Sequence, residues 1–164
     1  MKSLAHQLSN YAEYHRDRRN VATHFIGVPM IVFAVVVLLS RVGFEIGGWR
    51  LTPATLAVAA TLYYYLRLDR RLGLVMAVLL GLALWGADVF ARGSSIEWLG
   101  AGVGLFVIGW LFQFVGHIFE GRKPAFFDDV MGLLIGPLFV VVEMGLLVGA
   151  WPRYRRFMTP SPHN

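Results

Sequence analysis

The sequence predicts an all-α fold. Four crossing helices would form a polytopic membrane bundle, with an N-terminal interfacial helix before them and a Pro-broken C-terminal hairpin or re-entrant segment after them. Three observations carry this reading. Val21 to Ser40 and Trp98 to Phe119 contain no Asp, Glu, Lys or Arg. Each run is long enough to cross a hydrocarbon core of ~30 Å at ~1.5 Å per residue. Charged residues make up only 15% of the chain, against about 25% in soluble domains. The bases behind the net charge of +5 sit between the apolar runs, which the positive-inside bias explains without invoking nucleic acid. At 164 residues the chain suits a single integral-membrane domain, 1–164.

The elements follow in order. Leu4, Leu8, Tyr11 and His15 form one stripe across residues 3–18, as expected of an amphipathic helix lying in the interface. Arg16, Asp17, Arg18 and Arg19 suit the headgroup level, and Asn20 is placed to cap the first crossing helix, about 21–40. Pro29 removes one backbone bond within it and is expected to bend it. Residues 41–53 read as a loop broken by Gly43, Gly47, Gly48 and Pro53. A second, short span covers about 54–66 and ends in three tyrosines suited to an aromatic belt. A basic turn with Asp69 leads to a third span, about 72–91, with Asp88 near its end. The fourth, about 96–119, is rich in glycine, which lets helices approach closely in lipid.

Beyond the Gly121–Asp129 segment, the apolar stretch 130–151 is interrupted by Gly136–Pro137 and carries Glu143. Its tail is basic and then proline-rich (Pro160, Pro162), and is expected to fray. A cytoplasmic N-terminus puts most of the bases inside. The tail joins them if the last stretch folds back at Pro137. No cleavable signal is visible in the polar residues 1–20. The membrane would be the bacterial inner membrane, or the endoplasmic reticulum in a eukaryote.

The chemistry begins at Trp110–Ala125, WLFQFVGHIFEGRKPA. Gln113, His117 and Glu120 share one helix face there. Ionisable groups in membrane segments are expensive and are candidates for function. Each also has a bland reading. Glu120 can mark a helix end beside Arg122 or Lys123, Gln113 and Glu143 can tie helices together, and His24 can be an interface residue. His15 and His24 lie on opposite faces of any continuous helix, so they meet only if the chain bends within Arg16–Asn20. That bend would bring His15, His24, His117 and Glu120 to one membrane boundary. Three histidines with a carboxylate and no cysteine suit iron or zinc, and five histidines in all are too few for a membrane di-iron site. His6 and the tail residue His163 have no evident place in this set. The absence of cysteine excludes disulfides, thiolate sites and a cysteine nucleophile.

Three blocks carry a resemblance to a known family. They are Tyr14-His15 with Asn20, His24 and Val28-Pro29; Ile108 to His117 with Glu120 and Pro124-Ala125; and Pro137 to Glu143. In these blocks, and in order along nearly the whole chain, the sequence resembles the membrane-bound 2-hydroxy fatty acid dioxygenases, whose fungal members act in phytosphingosine breakdown. The resemblance implies an Fe(II)-dependent reaction of a 2-hydroxy fatty acid with dioxygen, giving the acid one carbon shorter. It implies His15, His24 and His117 as metal ligands. Glu120 joins them by position. A substrate chelating through carboxylate and hydroxyl, together with dioxygen, leaves three octahedral places for protein. Glu120 is therefore assigned the role of orienting a histidine from behind. Gln113 is a candidate for orienting substrate or dioxygen, and Asn20 joins Glu120 and Gln113 as a catalytic candidate. The acyl tail is expected between the glycine-faced helices, among membrane lipid, and a homo-oligomer is compatible with the sequence. Two other readings stand beside this one. One is a non-catalytic lipid-binding or scaffold protein with a structural metal site. The other is a small transporter using Glu143 and Asp88, for which no inverted repeat is evident.

Overall fold

The computed structural model describes residues 2–124 and 130–158. Ala125, Pro160, Pro162 and His163 lie outside the described residues. Seven helices are described: α1 (Leu4–Ala12), α2 (Arg18–Leu39), α3 (Pro53–Leu68), α4 (Arg70–Arg92), α5 (Ser95–Glu120), α6 (Met131–Leu147) and α7 (Arg155–Met158). A two-stranded hairpin, β1 (Phe44–Ile46) and β2 (Trp49–Leu51), lies between α2 and α3. Contacts gather the chain into two units, residues 1–29 with 110–164 and residues 30–109.

Three helices, α2, α4 and α5, are long and apolar enough to cross a membrane. The expected second span is α3, of 16 residues. At ~1.5 Å per residue it reaches about 24 Å, short of a ~30 Å core.

In the unit of residues 30–109 the expected loop contains the hairpin. Gly47 and Gly48 both have positive φ, 56° and 80°. They form the two-residue turn that matches the twist of paired strands. Pro53 does not break the chain there. It opens α3, where its missing N–H costs nothing, behind a capping box between Thr52 and Thr55. Asp69 ends α3 and starts α4, its carboxylate accepting from the amides of Arg71 and Leu72. Arg41 donates to the carbonyls of Ala91 and Gly93 and lies over the Trp98 ring. The Trp98 indole donates to the Val37 carbonyl at 2.9 Å. Asp88 is held by Arg50 and Arg92.

In the unit of residues 1–29 and 110–164, α1 is shorter than its apolar stripe. The amides of Tyr14 and His15 bond back to the carbonyls of Tyr11 and Ala12, closing tight turns that end the helix. Leu4, Leu8 and Tyr11 are buried against protein. The Tyr11 ring meets Phe139 of α6 at 4.8 Å. Asn20 is not the cap of α2. That helix starts at Arg18, and Asp17 caps it, its carbonyl accepting from Val21 and its carboxylate from the Arg19 amide.

The predicted hairpin at Pro137 is also corrected, since α6 runs through that proline as one helix. The reversal comes later, at Gly149. With φ of 73°, Gly149 and Ala150 donate to Leu146 and Gly145, the paired bonds of a Schellman motif. A Cβ on Gly145 would overlap the Trp151 ring, so the returning chain packs tightly on α6.

Candidate metal centre

Three elements supply the centre. The five residues between α1 and α2 carry His15, the second turn of α2 carries His24, and the last turn of α5 carries His117. The bend expected within Arg16–Asn20 lies earlier, in this link, since Arg18, Arg19 and Asn20 already belong to α2. Each histidine offers a nitrogen within 4.8 Å of the others. The rings meet edge to face, their centroids 4.4, 5.0 and 5.1 Å apart. All three are buried.

The hydrogen bonds set the donor atoms. His15 Nδ1 lies 2.8 Å from the Tyr11 carbonyl oxygen, and His24 Nδ1 lies 2.8 Å from that of Asn20. A carbonyl only accepts, so each Nδ1 carries the proton and each Nε2 presents a lone pair. Those two Nε2 atoms face each other at 3.0 Å. Two lone pairs at that distance repel unless a cation lies between them. Bonds of ~2.1 Å to neighbouring octahedral positions place two nitrogens about 3.0 Å apart. His117 Nδ1 is buried and has no partner within hydrogen-bond geometry among the described residues. The residues therefore fit a metal bound by three neutral imidazoles.

Burial, then the nearby His24, lowers the His15 pKa to about 2, with His117 adding to the shift and the Tyr11 carbonyl opposing it. Its imidazole is neutral at physiological pH, as a ligand must be. Tyr11 stacks on this ring at 4.2 Å with the planes 5° apart, and Phe139 packs 5.4 Å away. The sequence reading missed both as supports of the site. The Tyr11–His15 spacing of four was the available signal, but it suggested a helix face rather than a ring stack beyond the helix end.

The other candidates surround the triad. Glu120 accepts from the amides of Arg16 and Asp17 and from Asn20 Nδ2, at 2.9 to 3.1 Å. These bonds turn its carboxylate to the start of α2, where the helix dipole also favours a negative charge. Arg122, considered as its partner, donates instead to the Glu13 carbonyl. Asn20 is fully buried and donates also to the Tyr14 carbonyl, while its Oδ1 has no partner among the described residues. Gln113 is buried, and its Nε2 has no partner among the described residues. A Cβ on Gly116 would overlap Thr23 Oγ1 and Asn20 Oδ1. The gap at this glycine is thus filled by α2 rather than by an acyl chain.

Three histidines that could hold a metal ion, from the link, α2 and α5, occur here in one chain with a family match. The Mpo1-like family model, described as 2-hydroxy-palmitic acid dioxygenase, matches residues 1–146. The chain belongs to this family. Within the Mpo1-like family it is 37% identical over 157 residues to the 2-hydroxy-palmitic acid dioxygenase MPO1 of Saccharomyces cerevisiae, covering 93% of this chain and 85% of the yeast protein. No solved structure matches.

Proposed function

We propose that this protein is an integral-membrane, Fe(II)-dependent 2-hydroxy fatty acid dioxygenase that shortens its substrate by one carbon. The observation that carries the metal assignment is the pair of Nε2 lone pairs facing each other at 3.0 Å, with both Nδ1 atoms committed to carbonyls. Family membership supports the reaction class. Zinc suits the same donors but has no redox chemistry, and a reaction with dioxygen requires it. Atoms balance if one hydroxy acid and one dioxygen give the shorter acid, carbon dioxide and water.

His15, His24 and His117 would hold the iron, which when bound supplies the electrons that activate dioxygen. The chain's own residues set the stage. Tyr11 and Asn20 carbonyls fix the tautomers of His15 and His24, as outer partners of metal ligands commonly do. Glu120 is a positioning residue that ties the end of α5 to the start of α2. Gln113 has a buried donor without an acceptor among the described residues and is assigned to orient dioxygen or substrate. Asn20 supports both Glu120 and the His24 backbone contact.

The test is metal analysis and oxygen uptake on protein purified in detergent. Wild type should carry iron and consume 2-hydroxypalmitate with dioxygen. His117→Ala should lose both. Full turnover by His117→Ala would remove the triad from the mechanism, and zinc without oxygen uptake would favour the scaffold reading.

A further inference from the structure

A cavity of about 710 Å³ opens beside His15. Arg16 of the link and Arg18 at the start of α2 line it, and Val21, Ala22 and Phe25 continue the wall along the apolar part of that helix. Across from them α6 contributes Leu147 and Glu143. Glu143 is the one charged residue in α6, and it forms no hydrogen bond or ion pair with a described residue. Arg16 and Arg18 are exposed at their side chains and likewise form no ion pair with a described acid. The neighbouring Asp17 is taken by Arg19.

This combination needs an explanation. A cavity with two uncommitted guanidiniums and an apolar continuation suits a fatty acid carboxylate. A carboxylate in the same cavity opposes that use, because two anions side by side repel. The conflict disappears if the ligand carries a hydroxyl next to its own carboxylate. The O–H then donates to the protein carboxylate, and the pair becomes a charge-assisted hydrogen bond. A plain fatty acid offers no such proton and leaves the protein carboxylate desolvated and unpaired.

We propose that this cavity receives the head of the 2-hydroxy acid. Arg16 and Arg18 hold its carboxylate, and Glu143 accepts the hydrogen bond of the 2-hydroxyl. The hydrocarbon chain leaves along α2 past Phe25. Glu143 is then the residue by which the protein separates hydroxylated from plain fatty acids. The assignment rests on the dioxygenase reading and specifies how its substrate is recognised.

The test uses the full-length, iron-loaded protein kept free of oxygen, so that acids bind without reacting. The probes are 2-hydroxypalmitate and palmitate, each displacing a fluorescent fatty acid. Wild type should prefer 2-hydroxypalmitate by about 10- to 100-fold, the range of a hydrogen bond to a charged group. Glu143→Leu should reduce the preference to within about threefold while palmitate binds as well or better. Glu143→Gln, nearly the same shape, should fall between the two. The double change Arg16→Gln with Arg18→Gln should weaken both acids about equally. Iron content at the wild-type level shows that each variant is folded. A preference that survives in both Glu143 variants would overturn the assignment, as would unchanged affinities in the arginine variant. Oxygen uptake by wild type separates the two levels. If wild type consumes the hydroxy acid and the variants keep its preference, only this assignment fails. If wild type does not consume it, the dioxygenase reading fails and the assignment with it.

Discussion

His15 is neutral for a physical reason, and that reason predicts an acid limit. Above its ordinary value of about 6.5 the imidazole is uncharged in both the folded and unfolded chain, so stability does not depend on its titration. Below that value the unfolded chain takes up a proton. The folded chain refuses it until pH falls to about 2. Stability is therefore fully present above about 6.5 and is lost as pH drops, at up to about 1.4 kcal/mol per unit for this group. Melting of chelator-treated protein at pH 7.5, 6.5 and 5.5 should show little change over the first step and a clear fall over the second. Glu120 makes a second residue-scale prediction. Glu120→Ala leaves the amides of Arg16 and Asp17 and the Asn20 side chain without their acceptor, and should cost about 1–3 kcal/mol. Glu120→Gln should lie between, since its one carbonyl still accepts. If Glu120→Ala melted like wild type and lost only iron, the carboxylate would be a ligand instead of a cap.

At the scale of elements, the contact of α5 with α2 at Gly116 governs whether His117 reaches His24. Gly116→Val would drive a branched side chain into Thr23 and Asn20, an overpacking cost of about 1–3 kcal/mol. Iron retained after dialysis should fall with it, and a variant that kept full iron would show that the helices need not touch there. The elements also show what the sequence makes legible. Uncharged runs marked α2 and α5 because a membrane tolerates few charges, and the Asp69 turn was marked by its bases. The β-hairpin was not seen. Phe44-Glu45-Ile46 and Trp49-Arg50-Leu51 do alternate apolar and polar types, but three residues are too few to mark a strand, and Gly47–Gly48 looked like a break. The histidines were found by type and by the bend between them. The capping by Glu120 was hidden because it joins residues about a hundred positions apart, where local spacing says nothing. The reversal at Gly149 was misplaced to Pro137 because a proline is a weak indicator once packing holds a helix on both sides of it.

For the molecule as a whole, the exposed apolar residues are the ones a bilayer must cover. On α4, Leu74, Val78, Leu82, Trp85 and Val89 are each at least 58% exposed and recur at helical spacing, as a lipid-facing stripe does. Leu82→Arg, near the middle of that helix, should raise the cost of insertion by about 2.5–3.5 kcal/mol. A glycosylation-based insertion assay should record less integrated protein, and unchanged integration would argue that this face is covered by protein. The distance along the chain between Asn20 and Glu120, 100 residues, has a consequence in time. At about 5–20 residues per second, a ribosome takes roughly 5–20 s to go from one to the other. During that interval the nascent chain holds His15 and His24 with neither the third histidine nor the Glu120 latch. On the proposed iron site, metal loading follows late in biogenesis, after the fifth helix has left the ribosome, and a chain stalled before α5 should emerge without iron.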